Sequence, residues 1–442
     1  MSIVLAIVLN VALLAWLLPW LRRQWQAVGW PWRAALLLGL GGRLLVGGIT
    51  GLHPVKDADY MMYGSRVLTA QFWAAPGAAL QTLLGNELHF QANHLVYYGM
   101  SNTFFIIKIL AFLNLFSAGV SALNGLYLAL ASFIGCWLLA RELARSLPAT
   151  PAGAGLVAFV LWPTVLFWAT GISKEAVFLA SGAGLLALVV RLFWGSENAS
   201  ARTRTGQIIL LLVLAIVYFK MRYFFAVPLL GALAGLAMLR LLQPLGVARS
   251  RWAQVLLLTG ILAGGAWMAT EVSVAFRLNK LTNQTVRIYD RHLHASLNRP
   301  HFEYPDLRPT PESLLQHAPH AALNALTRPW LGESWQLSYV MGGLENLMLL
   351  GVLAVATVAV LRGRAGRLPF ALGLALGIYC LALAVLLGLS TPNLGSLSRY
   401  RSGLLPFLLL LLLQNDYAAA LLTRLRLNAR PAPRKPGVIN PG

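Results

Sequence analysis

LPFALGLALGIYCLALAVLLGLS, residues 368–390, runs without one charged side chain. A helix rises 1.5 Å per residue, so about 20 such residues cross the hydrocarbon core of a bilayer. In lipid the backbone must satisfy its own hydrogen bonds, and a continuous apolar run of this length does so as a helix. Working outward, comparable runs recur near 3–20, 33–52, 119–140, 152–171, 174–194, 206–219, 223–241, 252–272, 337–361 and 401–416. Together they predict an all-α polytopic membrane protein of about eleven transmembrane helices. Composition agrees: of 442 residues 58% are hydrophobic and 11% charged, against about a quarter charged in soluble domains. Residues 1–428 read as one transmembrane domain with outer loops at 53–118 and 273–336. The tail at 429–442, rich in proline and basic residues, reads as disordered and cytoplasmic.

The net charge of +21 raises nucleic acid as a ligand, and the placement of the arginines argues against it. With the N-terminus outside, the inner loops hold Arg22, Arg23 and Arg33; Arg141 and Arg145; Arg191, Arg202 and Arg204; Arg240, Arg249 and Arg251; and Arg362, Arg364 and Arg367. The tail adds Arg424, Arg426, Arg430, Arg434 and Lys435. Basic residues spread over the ends of helices on one side follow the positive-inside rule and form no single patch. The first run, Met1–Pro19, has its arginines behind it and not in front, so it reads as a retained helix and not a cleaved signal. The C-terminus then lies in the cytoplasm. Residues 101–117 (SNTFFIIKILAFLNLFS) are apolar enough to span, but counting them would invert every later loop. They read as an interfacial helix on the outer leaflet, with Lys108 reaching the headgroups. Cys136 and Cys380 lie inside apolar runs with no partner spacing and read as small buried apolar residues.

The outer side carries polar residues that a bare connection does not need. The first large loop opens with His53, Pro54, Val55, Lys56, Asp57, Ala58, Asp59 and Tyr60. In a chain with 14 acidic residues, an Asp-x-Asp at the mouth of a bundle suits a general base toward a hydroxyl. It also suits a pair of ligands for a divalent cation, Mg2+ or Mn2+, bridging phosphate oxygens. Lys174 and Glu175 follow a Trp-rich segment and serve either as an interfacial anchor or as part of a site. Lys220 and Arg222 occupy a turn so short that they sit at or below the membrane surface. There the positional rule disfavours cations, and a lipid phosphate is the natural partner. The last outer turn, Thr391–Arg401, flanks Tyr400 with Arg399 and Arg401, and arginine grips phosphate oxygens bidentately. In the second large loop His292-x-His294 lacks a third ligand at a recognised spacing. Arg328 and Glu333 at its end, and Glu345 in the next helix, serve either as substrate contacts or as structural pairs.

In the order of these parts the chain resembles the GT-C superfamily of membrane glycosyltransferases. Asp57-Ala58-Asp59-Tyr60 opens the first large outer loop and interfacial helices follow over 60–118. A bundle and a second outer loop come next, and then Arg399-Tyr400-Arg401 ahead of Pro406. The run Asn124–Arg145 looks like that superfamily's first helix after the interfacial segment. The resemblance implies sugar transfer from a polyprenyl-phosphate-linked donor to a glycan, lipid or protein acceptor on the outer face of a bacterial cytoplasmic membrane. It makes Asp57 or Asp59 the base, Asp59 fitting better beside Tyr60. It sets Lys174, Lys220, Arg222, Arg399 and Arg401, with Glu175 and Tyr400, around the lipid phosphate. The helix at 3–20 and the segments Leu161–Glu175 and Arg328–Glu333 depart from the described families. Two rival readings remain. An O-antigen-type polymerase or ligase needs the outer arginines and not the aspartates. A flippase for lipid-linked saccharides calls for repeat symmetry and charges buried mid-helix; no repeat is visible and the spans are nearly free of such charge.

Overall fold

The computed structural model describes residues 2–97, 99–195, 200–246, 250–272 and 277–429. The expected disordered tail therefore lies, apart from its first residue, outside the described residues. The chain begins with helices α1 (Ser2–Gln26), α2 (Trp30–Leu52), α3 (Lys56–Ala74) and α4 (Pro76–Leu84), then the hairpin strands β1 (Glu87–Phe90) and β2 (Asn93–Val96). Next come α5 (Asn102–Ser117), α6 (Ser121–Ser146), α7 (Ala152–Leu156), α8 (Pro163–Trp168), α9 (Lys174–Trp194), α10 (Ala201–Met221), α11 (Tyr223–Leu242) and α12 (Arg251–Val272). The second large loop holds α13 (Leu278–His294) and α14 (Pro311–Thr327), and α15 (Leu337–Leu361) and α16 (Phe370–Ser390) follow. The chain closes with α17 (Leu394–Tyr400), α18 (Leu405–Leu412) and α19 (Asp416–Arg424).

Among the described residues eight helices are long and apolar enough to cross a membrane: α1, α2, α6, α9, α10, α11, α15 and α16. The count is nine if α18 and α19, bent by 95°, are taken as one. Large apolar side chains along α1, α10 and α15, such as Ile7, Ile209 and Leu347, stay exposed, which fits a surface solvated by lipid. The expected number of about eleven spans is not confirmed among the described residues, and the sequence shows where two of the apolar runs are interrupted. Over 152–171 the helix widens into a π turn at Val157–Leu161, extends at Trp162 and restarts at Pro163. Proline lacks the N–H that would continue the ladder, so the run is apolar but not continuous. The run at 401–416 likewise breaks before Asn415, whose side chain caps α19 by accepting from Ala418 N at 2.9 Å. Between the two, α12 is an unbroken 22-residue helix that packs on α11 and α16.

The carbonyls freed at the π turn are met by a charge that hydropathy passed over. Arg43, fully buried in α2, donates to Phe159 O at 2.7 Å and Val160 O at 3.1 Å. A buried guanidinium is tolerated because backbone oxygens receive its protons. The spans are thus not free of buried charge.

At the centre α6 packs on α2 and α9. At Gly47 a Cβ would lie 2.8 Å from Gly125 O, and one at Gly135 would lie 2.5 Å from Ala180 O, so backbones meet where lipid gives no hydrophobic drive. The helix ends expected on one side do gather: Trp32 Nε1 donates to Leu427 O at 2.9 Å and Asp416 N to Arg364 O at 3.2 Å. At the other end α3 lies over α5. Asn114 of α5 donates to Thr69 Oγ1 of α3 at 3.0 Å and accepts from Asn124 Nδ2 of α6 at 2.7 Å. This polar bridge in apolar surroundings fixes α3 against the bundle. Lys108 does not reach out to headgroups. Its ammonium donates to Leu83 O and Gly85 O, both at 2.8 Å, satisfying the last carbonyls of α4.

Candidate functional site

The site is assembled by three helix ends. Gly171, at φ 70°, turns the chain into Ser173, whose hydroxyl caps α9 by accepting from Ala176 N at 3.1 Å. That start places Lys174 and Glu175 in the first turn, where the helix dipole favours an anion. Between α10 and α11 the chain turns on Arg222 alone, which ends one helix and begins the next. On the third side Asn393 starts α17 by accepting from Ser396 N at 2.7 Å, and it donates to Ser296 Oγ at 2.7 Å. That ties α17 to the second large loop.

These starts bring five charges together. Glu175, 3% exposed, is paired on one oxygen with Arg222 and on the other with Arg399 Nη2 at 2.9 Å. Arg399 Nη1 lies 4.0 Å from Asp57 Oδ2, whose carboxylate is 70% exposed. Lys174 donates to Thr103 Oγ1 at 2.8 Å and lies in the field of all four. The guanidinium of Arg222 sits 4.3 Å from the centre of the Tyr400 ring, a cation–π geometry that holds both. Three cations face two carboxylates, so the cluster keeps a net positive charge.

Arg222 and Tyr400 also line a cavity of about 1120 Å3 with Tyr223, Phe225, Ser101 and Asn102. Helix α13 also lines it, contributing Lys280, Gln284, Arg287 and Arg291. Those positions recur every three or four residues and so share one helix face. Among the described residues no carboxylate lines the cavity. His292, edge-on to Tyr400 at 6.1 Å, has its pKa lowered by burial and by the charges of Arg291 and Arg222. It offers hydrogen bonds and not charge at neutral pH. The sequence signal for this stripe is the periodic spacing of Lys280, Arg287 and Arg291, beside which the histidines of the segment read as metal ligands.

Other expected residues lie elsewhere. Asp57 and Asp59 stand in the first turn of α3 and not in a loop. Two positions along a helix diverge by about 200°, so they do not present two oxygens to one cation. A Mg2+ or Mn2+ ion does not fit this pair. Asp59 is exposed and makes no ion pair among the described residues. Tyr60 bonds Tyr97 hydroxyl to hydroxyl at 2.9 Å. His53, Lys56 and Lys220 are exposed and do not line the cavity. Arg328 Nε pairs with Glu333 at 3.2 Å; burial raises the pKa of that carboxyl, opposed by Arg328. Glu345 accepts from Thr164 N at 2.9 Å and Thr164 Oγ1 at 2.6 Å, which caps the restart at α8.

Arg401 is a correction. It is 3% exposed and gives its protons to Arg328 O, to Leu326 O at 3.4 Å and to Asn346 Oδ1 at 2.8 Å. The side chain braces the end of α14 with both terminal nitrogens and, among the described residues, makes no contact with the Glu175 cluster. Arg401→Met is expected to lower the melting temperature in detergent, at about 1–3 kcal/mol per buried carbonyl left unpaired. Turnover per folded molecule is expected to hold; a loss of turnover at unchanged stability would return Arg401 to the site.

No protein-family model, no curated protein and no solved structure matches this chain.

Proposed function

We propose that this protein is a membrane glycosyltransferase. It moves a sugar from a polyprenyl-phosphate-linked donor to an acceptor hydroxyl at the outer face of a bacterial cytoplasmic membrane, with the N-terminus outside and the C-terminus in the cytoplasm. The observation that carries the reading is the cavity lined by Lys280, Arg287 and Arg291, which shares Arg222 and Tyr400 with the Arg222–Glu175–Arg399–Asp57 cluster. The acceptor oxygen attacks the anomeric carbon, the bond from that carbon to the phosphate oxygen breaks, and the hydroxyl proton passes to Asp57. Asp57 is the base in preference to Asp59, because Asp57 is the carboxylate beside Arg399. The electron pair leaves on the lipid phosphate, whose developing charge Arg399, Arg222 and the α13 cations stabilise. Glu175 holds the two arginines at fixed spacing and takes no proton. The acceptor is a glycan, lipid or protein.

A polymerase or ligase acting on diphosphate-linked glycans shares the cationic cavity and dispenses with Asp57. The proximity of Asp57 to Arg399 favours the transferase.

Binding tests the cavity directly. The double variant Arg287→Glu and Arg291→Glu is expected to bind polyprenyl phosphate at least tenfold more weakly than wild type in native mass spectrometry. Each reversal places like charge against the ligand. Equal affinity in the two proteins would remove the cavity from the proposal.

A further inference from the structure

The β1–β2 hairpin carries a group of side chains that the transfer reaction does not use. A two-residue turn, Gln91-Ala92, joins the strands, with the register Glu87↔Val96, Leu88↔Leu95, His89↔His94 and Phe90↔Asn93. Next to such a turn the closing pair is hydrogen-bonded, and the pair beyond it, His89 with His94, is the kind whose side chains approach most closely. The two imidazole rings stand 3.6 Å apart between centres. Strand alternation puts Glu87 on the same face as His89. Its carboxylate lies 3.3 Å from His89 Nε2, while Leu88 on the other face is fully buried. One ligand atom from each of Glu87, His89 and His94 lies within 4.8 Å of the other two, and all three residues are exposed.

We propose that Glu87, His89 and His94 bind a late first-row divalent cation such as zinc(II), through two imidazole nitrogens and one carboxylate oxygen. Imidazole with carboxylate selects Zn2+, Ni2+ or Cu2+ over Mg2+ and Ca2+, which prefer all-oxygen sites. Bonds of about 2.0–2.2 Å to a tetrahedral zinc bring its ligands to about 3.3 Å from one another. The present spread closes to that by rotation of exposed side chains. Three protein ligands leave a fourth position open to water or to a group from elsewhere.

The backbone beneath the site is held. Gln71 Nε2 of α3 donates to His89 O at 3.0 Å, and Tyr63 Oη of α3 donates to Asn93 Oδ1 at 2.5 Å. A cation there ties the two strands across the turn and, through Gln71 and Tyr63, stiffens the helix that bears Asp57. The site stands on its own geometry and not on the identity of the reaction.

Zinc titration of purified, untagged full-length protein in detergent tests it, with Mg2+ as the comparison ion. Wild type is expected to bind one Zn2+ per chain with Mg2+ failing to compete. His89→Ala and His94→Ala are each expected to weaken binding by ~10-fold or more. His292→Ala with His294→Ala, which removes a second closely spaced histidine pair, is expected to bind as wild type does. Co2+ added to wild type is expected to give the visible bands of a low-coordinate nitrogen and oxygen site, a readout that needs no variant. No zinc binding by wild type would overturn the proposal. So would unchanged affinity in both hairpin variants, or a loss that follows His292 and His294 instead.

Discussion

Asp57→Asn is expected to lower sugar transfer by about 10²–10⁴-fold, the range over which a positioned general base acts, while Asp59→Asn stays near wild type. The contrast follows from α3. Asp57 lies 4.0 Å from Arg399 at the edge of the cluster, and Asp59, rotated by about 200° about the helix axis, points away from it. Neither substitution threatens the fold. Asp57 is 70% exposed, and exchanging an exposed carboxylate for its amide shifts stability by about 0.5 kcal/mol or less. The loss therefore reports chemistry, read as initial rates in membranes normalised to protein. Full activity in both variants would remove the base from the mechanism and favour the polymerase or ligase.

Arg399→Ala is expected to cost about 10²–10³ in transfer, the effect of deleting one donor aimed at a developing anion. Stability has to be separated from this, because the arginine is also one of two partners of a buried carboxylate. Glu175 keeps Arg222 when Arg399 is removed, so the folding cost falls short of the roughly 3–5 kcal/mol of a buried charge stripped of its partner. The melting temperature then falls modestly while the rate falls steeply. Arg399→Lys restores charge but not the fork that spans Glu175 and Asp57, and is expected to recover part of the rate. A rate that falls only in proportion to folded protein would return Arg399 to a bracing role.

How much of this was legible depended on whether a residue's environment was set nearby or far away. The membrane class followed from runs such as 368–390. Lys174, Arg222 and Arg399 are legible as cations in short turns between apolar runs, and all three gather around Glu175. Hydropathy measures apolar length and not continuity, so the π turn ahead of Pro163 read as a span although the proline stood in plain sight. Arg401 and Arg399 share one short motif, yet two positions of rotation send one into the end of α14 and the other to Glu175. Nothing in the local sequence separates them. The α13 stripe was legible at a helical period and was missed because the histidines beside it drew the reading.

The central claim is that the cluster and its cavity transfer a sugar from a lipid monophosphate. Reconstituted protein supplied with a polyprenyl-phosphate sugar tests it, with release of polyprenyl phosphate followed for wild type, Asp57→Asn and Asp59→Asn. Release by wild type and by Asp59→Asn is expected, with its loss in Asp57→Asn. No release from the monophosphate donor by wild type, with elongation of a diphosphate-linked glycan in its place, would contradict it.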